Sequence, residues 1–248
     1  MTLSLRRLRN FGILLLATLA LWELVFLYAG EEALKSPLTT LAFTARLVTT
    51  EMFRENLAET LRAFALALGL AVGIGLALGF WLGFHRPSGA LLTPFLVAFA
   101  SIPKVVLYPI ILLTFGLGIS AKVVFGAIHG IPPIALSTIG AVATIRPVLL
   151  KLGRVLGLGS PGMLRTILFP AALPEVMTGL RIGFSLTLIG TILGEMFASQ
   201  QGLGYLLMNA IGLHNVDLIM SVALILAVLA LSASALLLAI DRNLRQRF

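Results

Sequence analysis

Six stretches of this chain are each apolar for about 20 residues, the length that crosses the hydrocarbon core of a bilayer as one helix. They fall near 11–30, 60–84, 92–115, 121–144, 175–198 and 216–240. No backbone amide can stay unpaired in lipid, so segments of this length must be helical. They are too long and too continuous to be the strands of a barrel. The sequence therefore predicts an all-α fold, a polytopic membrane bundle of about six transmembrane helices. Composition agrees, with 59% hydrophobic and 11% charged residues, where a soluble domain carries about a quarter charged. The first apolar run follows Arg6, Arg7 and Arg9 but is interrupted by Glu23 and is too long for the core of a signal peptide. It reads as an uncleaved first span.

The net charge of +8 comes from basic residues lying between apolar runs, not in a patch interleaved with aromatics. Anionic lipid and topology account for it, and no nucleic-acid partner is expected. The chain has no cysteine, and His85, His129 and His214 stand apart without metal-ligand spacing, so neither a metal nor a cofactor is expected. No Ser-His-Asp set or close carboxylate pair marks a catalytic site.

The basic residues also set the orientation. Arg6, Arg7 and Arg9 precede the first span, and Arg86 follows the second. Arg146, Lys151, Arg154 and Arg165 lie between the fourth and fifth, and Arg242, Arg245 and Arg247 follow the sixth. Six crossings put all of them on one side, so both termini are predicted to be cytoplasmic in a multi-pass protein of the cell membrane. The main external segment, 31–59, mixes Glu31, Glu32, Glu51 and Glu55 with Lys35, Arg46 and Arg54. In the second span Gly75, Gly79 and Gly83 recur every four residues, as do Gly69 and Gly73. Such ladders let helix backbones approach closely. Pro103, Pro109, Pro132 and Pro133 are expected to break or kink the third and fourth spans.

The long cytoplasmic connection contains RVLGLGSPGMLRTILFPAALPE. Pro147 suits a first helical position, and Leu149, Leu152, Val155 and Leu156 give one apolar face. Gly157 and Gly159 stop that helix, with a positive φ expected at Gly157. Ser160 and Pro161 then read as an N-cap and first turn. Met163, Leu164, Ile167 and Leu168 form a second apolar face with Arg165 pointing away, and Pro170 and Pro174 end the second helix. Two readings fit this pair of short helices: resting on lipid headgroups, or docking into a groove on a cytoplasmic partner.

The spacing of Gly157, nine residues, then Ile167-Leu168-Phe169-Pro170 resembles the cytoplasmic signature of ABC-importer permeases. That pattern is Glu-Ala-Ala, three residues, Gly, nine residues, Ile-x-Leu-Pro. The stretches ENLAETLRAFALALGLAVGIGLALGFWLG, SIPKVVLYPIILLTFGLG and PAALPEVMTGLRIGFSLTLIGTILGEMFASQQGLGYLL resemble the nitrate, sulfonate and taurine branch. The chain departs from the pattern at Lys151, Leu152 and Gly153, which stand for Glu-Ala-Ala, and at Phe169.

The resemblance implies a type I ABC-importer permease fold over 56–241, after an N-terminal helix and external segment (1–55) and before a basic tail (242–248). It implies a homodimer, or a pair with a close relative, bound to two cytoplasmic ATPase subunits and served by an extracytoplasmic solute-binding protein. It also makes 146–174 a coupling loop, with Gly157, Ser160, Pro161, Met163, Leu164, Arg165, Ile167 and Pro170 at the ATPase contact. The chain has no GxxxxGK[ST] loop, so hydrolysis belongs to a partner.

Glu23, Lys104, His129, Arg181 and Glu195 fall inside the predicted spans. A charge at the bilayer centre costs roughly 2.5–3.5 kcal/mol on insertion scales. Lys104 and Glu195 are the candidates for the translocation pathway, and Lys104 is compatible with an anionic solute such as a sulfonate, taurine or nitrate. Two other classes remain open. A secondary transporter would show two related halves with charges at the midplane, and a membrane scaffold would not need the loop.

Overall fold

The computed structural model describes residues 2–245. The side chains of 1–8, 150, 154, 160, 161, 164, 198, 240 and 242–248 lie outside the described set. The expectations for Ser160, Pro161, Leu164, Arg6, Arg7, Arg154, Arg242, Arg245 and Arg247 therefore fall outside it at the side-chain level.

The chain is a succession of helices. They are α1 (Thr2–Ala29), α2 (Pro37–Leu47), α3 (Glu51–Phe84), α4 (Arg86–Ser101), a 3-10 turn Lys104–Leu107 leading into α5 (Tyr108–Phe115), and α6 (Ile119–Ala143). Then follow α7 (Pro147–Val155), α8 (Ser160–Met163), a π-helical turn Leu164–Leu168, α9 (Phe169–Ala198), α10 (Leu203–Gly212) and α11 (Val216–Arg245). Five stretches are long and apolar enough to cross a membrane: Arg9–Ala29, Glu51–Phe84, Ile119–Ala143, Arg165–Phe197 and Val216–Ala239. The predicted span 92–115 is instead a broken pair, α4 and the 3-10/α5 limb, bent by 92°. Pro103 explains the break. It has no N–H to give, and its ring holds Ile102 in an extended conformation (φ −67°, ψ 132°) that ends the helix before it. Pro109 sits in the first turn of α5, where a proline costs nothing. Pro132 and Pro133 lie inside α6, which nonetheless continues as one helix.

The core is a triple of long helices. A Cβ built on Gly75 would lie 2.8 Å from the Ile134 Cβ, one on Gly79 would overlap Thr138, and one on Gly83 would lie 2.8 Å from the Val142 Cβ. The numbers rise together, so α3 and α6 run parallel. Gly126 meets Thr191, Gly130 meets Thr187, and Gly179 meets Ser137, so α6 and α9 run antiparallel. Parallel α3 and α6 require the α4–α5 limb to carry the chain back across the bundle, so the broken pair is a net crossing despite its bend. The glycine ladder of α3 divides in two. Gly75, Gly79 and Gly83 face α6, whereas Gly69 and Gly73 have nothing within 4 Å of a built Cβ and face outward.

The bundle has two unlike ends. The α7–α8 loop and the C-terminus of α3 mark one. At the other, α2, α10 and the starts of α3 and α11 pack around Leu47, Phe53, Leu203, Leu206, Leu218 and Val222. The span of α1 has none of its apolar window buried, and its Trp22 Nε1 donates to the Lys35 carbonyl at 3.0 Å.

Candidate functional site

The loop is a folded unit. α7 ends where Gly157 takes φ +66°, the left-handed conformation expected there, and the Leu158 N–H returns to the Gly153 carbonyl at 3.0 Å. The second limb folds back onto α7 at Gly153, where a built Cβ would lie 2.5 Å from the Met163 sulfur and 2.8 Å from Ile167 Cδ1. A larger residue at 153 would make the ends of the Met163 and Ile167 side chains shift. Ile167 is buried in that contact, whereas Arg165 and Lys151 are exposed. Val148, Leu152, Val155 and Leu156 form an outward apolar stripe, with Val155 83% exposed. Beside it a groove of about 620 Å³, lined by Gly83, Arg86, Val142, Ile145, Pro147 and Lys151, joins the loop to the ends of α3 and α6.

One sequence expectation is corrected here. Pro170 and Pro174 do not end the second helix: the π turn runs directly into α9, with Pro170 in its first turn and Pro174 inside it. A first-turn proline has no hydrogen bond to lose, and the wider π turn before it relieves the clash with the preceding turn. The loop and the fifth span are thus one continuous rod.

Lys104 opens the 3-10 turn at the elbow of the broken span. Its Nζ donates to the Ala100 carbonyl at 2.9 Å and lies 5.8 Å from the Phe99 ring centroid. Among the described residues it has no acidic partner within ion-pair distance. One turn on, Tyr108 donates to the Gly194 carbonyl at 2.6 Å and stacks edge-on against Phe125. Phe125 in turn meets the His129 ring at 4.6 Å. The limb that leaves the elbow therefore packs beside Phe125 in the early part of α6 and Gly194 in the late part of α9. Glu23 is exposed on α1, and Arg181 is half-buried on α9.

Glu195 lies at the end away from the loop and is wholly buried. Its Oε2 accepts from Thr60 Oγ1 at 2.8 Å and from the Gly204 N–H at 3.0 Å. Lys122, 2% exposed, donates to Glu59 at 2.9 Å, to Ser199 Oγ at 3.3 Å and to the Gln201 carbonyl at 3.1 Å. Its Nζ is 3.9 Å from Glu195 Oε1. Asn56 Oδ1 receives the Gly202 N–H at 2.7 Å, and Thr60 Oγ1 the Leu203 N–H at 2.8 Å. Glu195 and Lys104, paired as pathway candidates in the sequence, thus stand in different surroundings. Lys122, Glu59, Asn56 and Thr60 escaped the sequence reading. The available signal was Asn56, Glu59 and Thr60 at helical spacing, together with a lysine one residue inside a predicted span.

A bundle of spanning helices with one broken crossing and a folded helical loop at one end fits a membrane transport subunit. The chain belongs to the family of binding-protein-dependent transport system inner membrane components, which it matches over residues 69–248. It is 29% identical over 228 residues to a probable ABC transporter permease protein of Haemophilus influenzae, covering 89% of this chain and 88% of that one. It is 34% identical to the riboflavin transport system permease protein RibX of Chloroflexus aurantiacus, covering 62% of this chain and 57% of the relative. It is 27% identical to the taurine transport system permease protein TauC of Escherichia coli, covering 62% and 56%.

Among solved structures, inward-facing MetNI methionine ABC transporter superposes with a TM-score of 0.66 at 22% identity, covering 77% of this chain and 94% of that chain. An amino acid ABC transporter superposes with a TM-score of 0.63 at 20% identity, covering 83% and 97%. These two show the shared fold. The protein is a permease subunit of a binding-protein-dependent ABC importer, a component of the inner membrane. The ATPase is a separate subunit, and the family works with an ATPase and a solute-binding protein.

Proposed function

We propose that two copies of this chain form the pathway of the importer, and that the ATPases drive it through the 146–174 loop. The observation that carries this reading is the loop's build: a folded pair of helices presenting an exposed apolar stripe, Val148, Leu152, Val155 and Leu156. A stripe of this kind is what a groove on a partner recognises, and the loop continues without interruption into α9. Gly157, Met163, Ile167 and Pro170 hold its shape. Ser160, Pro161, Leu164 and Arg165 complete the ATPase-facing set. The outward face of α3 at Gly69 and Gly73 gives a second copy room for close approach. Lipid covers the rest of the apolar exterior.

Gly157→Val tests the loop. A β-branched residue at φ +66° is strained by roughly 1–3 kcal/mol, while a built Cβ meets nothing within 4 Å. The substitution therefore bends the loop without disturbing a neighbour. The expected outcome is an inserted, folded permease with weakened ATPase retention in pull-down and lost solute uptake in vesicles. Normal retention and uptake would leave the two helices as a lipid-resting pair.

Orientation and pathway can be read in one labelling experiment, because the chain has no cysteine. We place the loop and both termini in the cytoplasm, since Arg86, Arg146, Lys151, Arg154 and Arg165 and the arginines near both termini outnumber Lys35, Arg46 and Arg54 of the external segment. Gln201→Cys should react with an impermeant thiol reagent from outside, and Gly159→Cys only after permeabilisation. Lys104 is our residue for the route. At the elbow of the broken span and, among the described residues, without an acidic partner, it fits a solute bearing an anionic group. Lys104→Cys should react with a small water-soluble thiol reagent, and that labelling should slow when solute is being transported. A Lys104→Cys chain inert to the reagent would place the residue against lipid or packed protein.

A further inference from the structure

We infer that Glu195 is a positioning residue: it clamps the N-terminus of α10 to α9, so that α10 moves with the rod that begins at the loop. This rests on the loop being the element the ATPases move. Three consecutive amides open α10, and none has a partner within its own helix. Each is received by a side chain of α3 or α9. Asn56 of α3 takes Gly202, Thr60 of α3 takes Leu203, and Glu195 of α9 takes Gly204. Thr60 also donates to Glu195, so two of the three acceptors are bonded to each other.

Lys122 of α6 supplies the positive charge. Its three protons go to Glu59, Ser199 and the Gln201 carbonyl, which fixes the turn between α9 and α10. There is no slack in this joint, because a Cβ on Gly202 would overlap the Glu195 carboxyl and one on Gly204 would overlap the Ile192 carbonyl. α9 is 30 residues long, about 45 Å at the rise of an α-helix. It reaches from the loop to this clamp. A displacement imposed at the loop therefore arrives at α10, on the opposite face of the bundle, without passing through a flexible segment.

The test uses the complex of permease, ATPase and loaded binding protein, with spin labels at Ile189→Cys in α9 and Ile211→Cys in α10. Without further mutation the α9–α10 distance should be narrow and the same before and after ATP binding. Glu195→Ala should broaden it. Hydrolysis stimulated by the binding protein should fall by at least about tenfold, the equilibrium equivalent of one lost charge-assisted hydrogen bond. ATPase retention and unstimulated hydrolysis should stay as they were. Glu195→Gln keeps an oxygen acceptor for Gly204 and Thr60 and should restore both the narrow distance and the stimulation. If Glu195→Ala fails to insert, Asn56→Ala, which removes the acceptor of Gly202, carries the same expectation. A narrow distance in the alanine variant, or full stimulation alongside a broad one, would overturn the clamp. If the ATPase is not retained even by the unmutated loop, the loop reading falls, and the label distances still decide the clamp.

Discussion

Lys122→Met is expected to destabilise the permease by roughly 3–5 kcal/mol, the range seen when one partner of a buried ion pair is removed. Methionine reproduces the length of the lysine stem but none of its donors. Glu59 loses a 2.9 Å partner, and the turn after α9 loses the bonds that Lys122 donates to Ser199 Oγ and the Gln201 carbonyl. Glu195, fully buried, loses the nearest positive charge. Two carboxyls then stand close together with no cation between them. The double variant Lys122→Met, Glu59→Gln should recover part of the loss, because replacing a whole buried pair is far cheaper than breaking it. Thermal unfolding in detergent, followed by the onset of aggregation, separates the outcomes. A single variant as stable as the unmutated chain would mean that the cluster contributes little.

The sequence made the helices and the loop readable because both are local patterns. Span length follows from hydropathy, and Gly157 announces its φ through the end of one amphipathic run and the start of the next. The elbow at Pro103 was less legible. Averaging hydropathy over 92–115 hides a turn that costs no apolar residue, so a window of the right length looks like one helix. Pro170 misled in the opposite way. A proline normally ends a helix, but in a first turn after a π turn it begins one. The polar cluster was invisible for a different reason. Thr60 and Glu195 are 135 residues apart, and Asn56 and Gly202 are 146 apart. Charges weighed one at a time cannot show that they will meet. Lys122 stands one residue inside a predicted span and drew no notice there, yet it is among the most enclosed polar residues of the fold. The glycine ladder showed that α3 packs closely against something, but not that only Gly75, Gly79 and Gly83 face α6 while Gly69 and Gly73 do not.

That division supplies a controlled comparison. Gly130 of α6 sits where three helices converge. A Cβ there would overlap Thr187 Oγ1 of α9 and lie 2.9 Å from the Ala71 Cβ of α3 and 3.1 Å from the Gly183 carbonyl. The threonine hydroxyl can rotate aside. The other two contacts cannot yield, since one is the only side-chain carbon of an alanine and the other is backbone. Gly130→Val must therefore push α3 or α9 away from α6. In lipid no hydrophobic gain offsets lost helix–helix packing, because the tails are as apolar as the side chains. The expected loss is roughly 3 kcal/mol, the upper part of the usual overpacking range, with Gly130→Ala losing roughly 1 kcal/mol by the same contacts. Gly69→Val adds the same atoms where nothing lies within 4 Å and should leave the folded monomer unchanged. Unfolding midpoints of the three variants, with uptake in vesicles, give the comparison. Gly130→Val should lose uptake with its stability, since separating α9 from α6 also draws Glu195 away from Lys122. If Gly130→Val and Gly69→Val prove equally stable, the close approach of α3, α6 and α9 does not hold the bundle together.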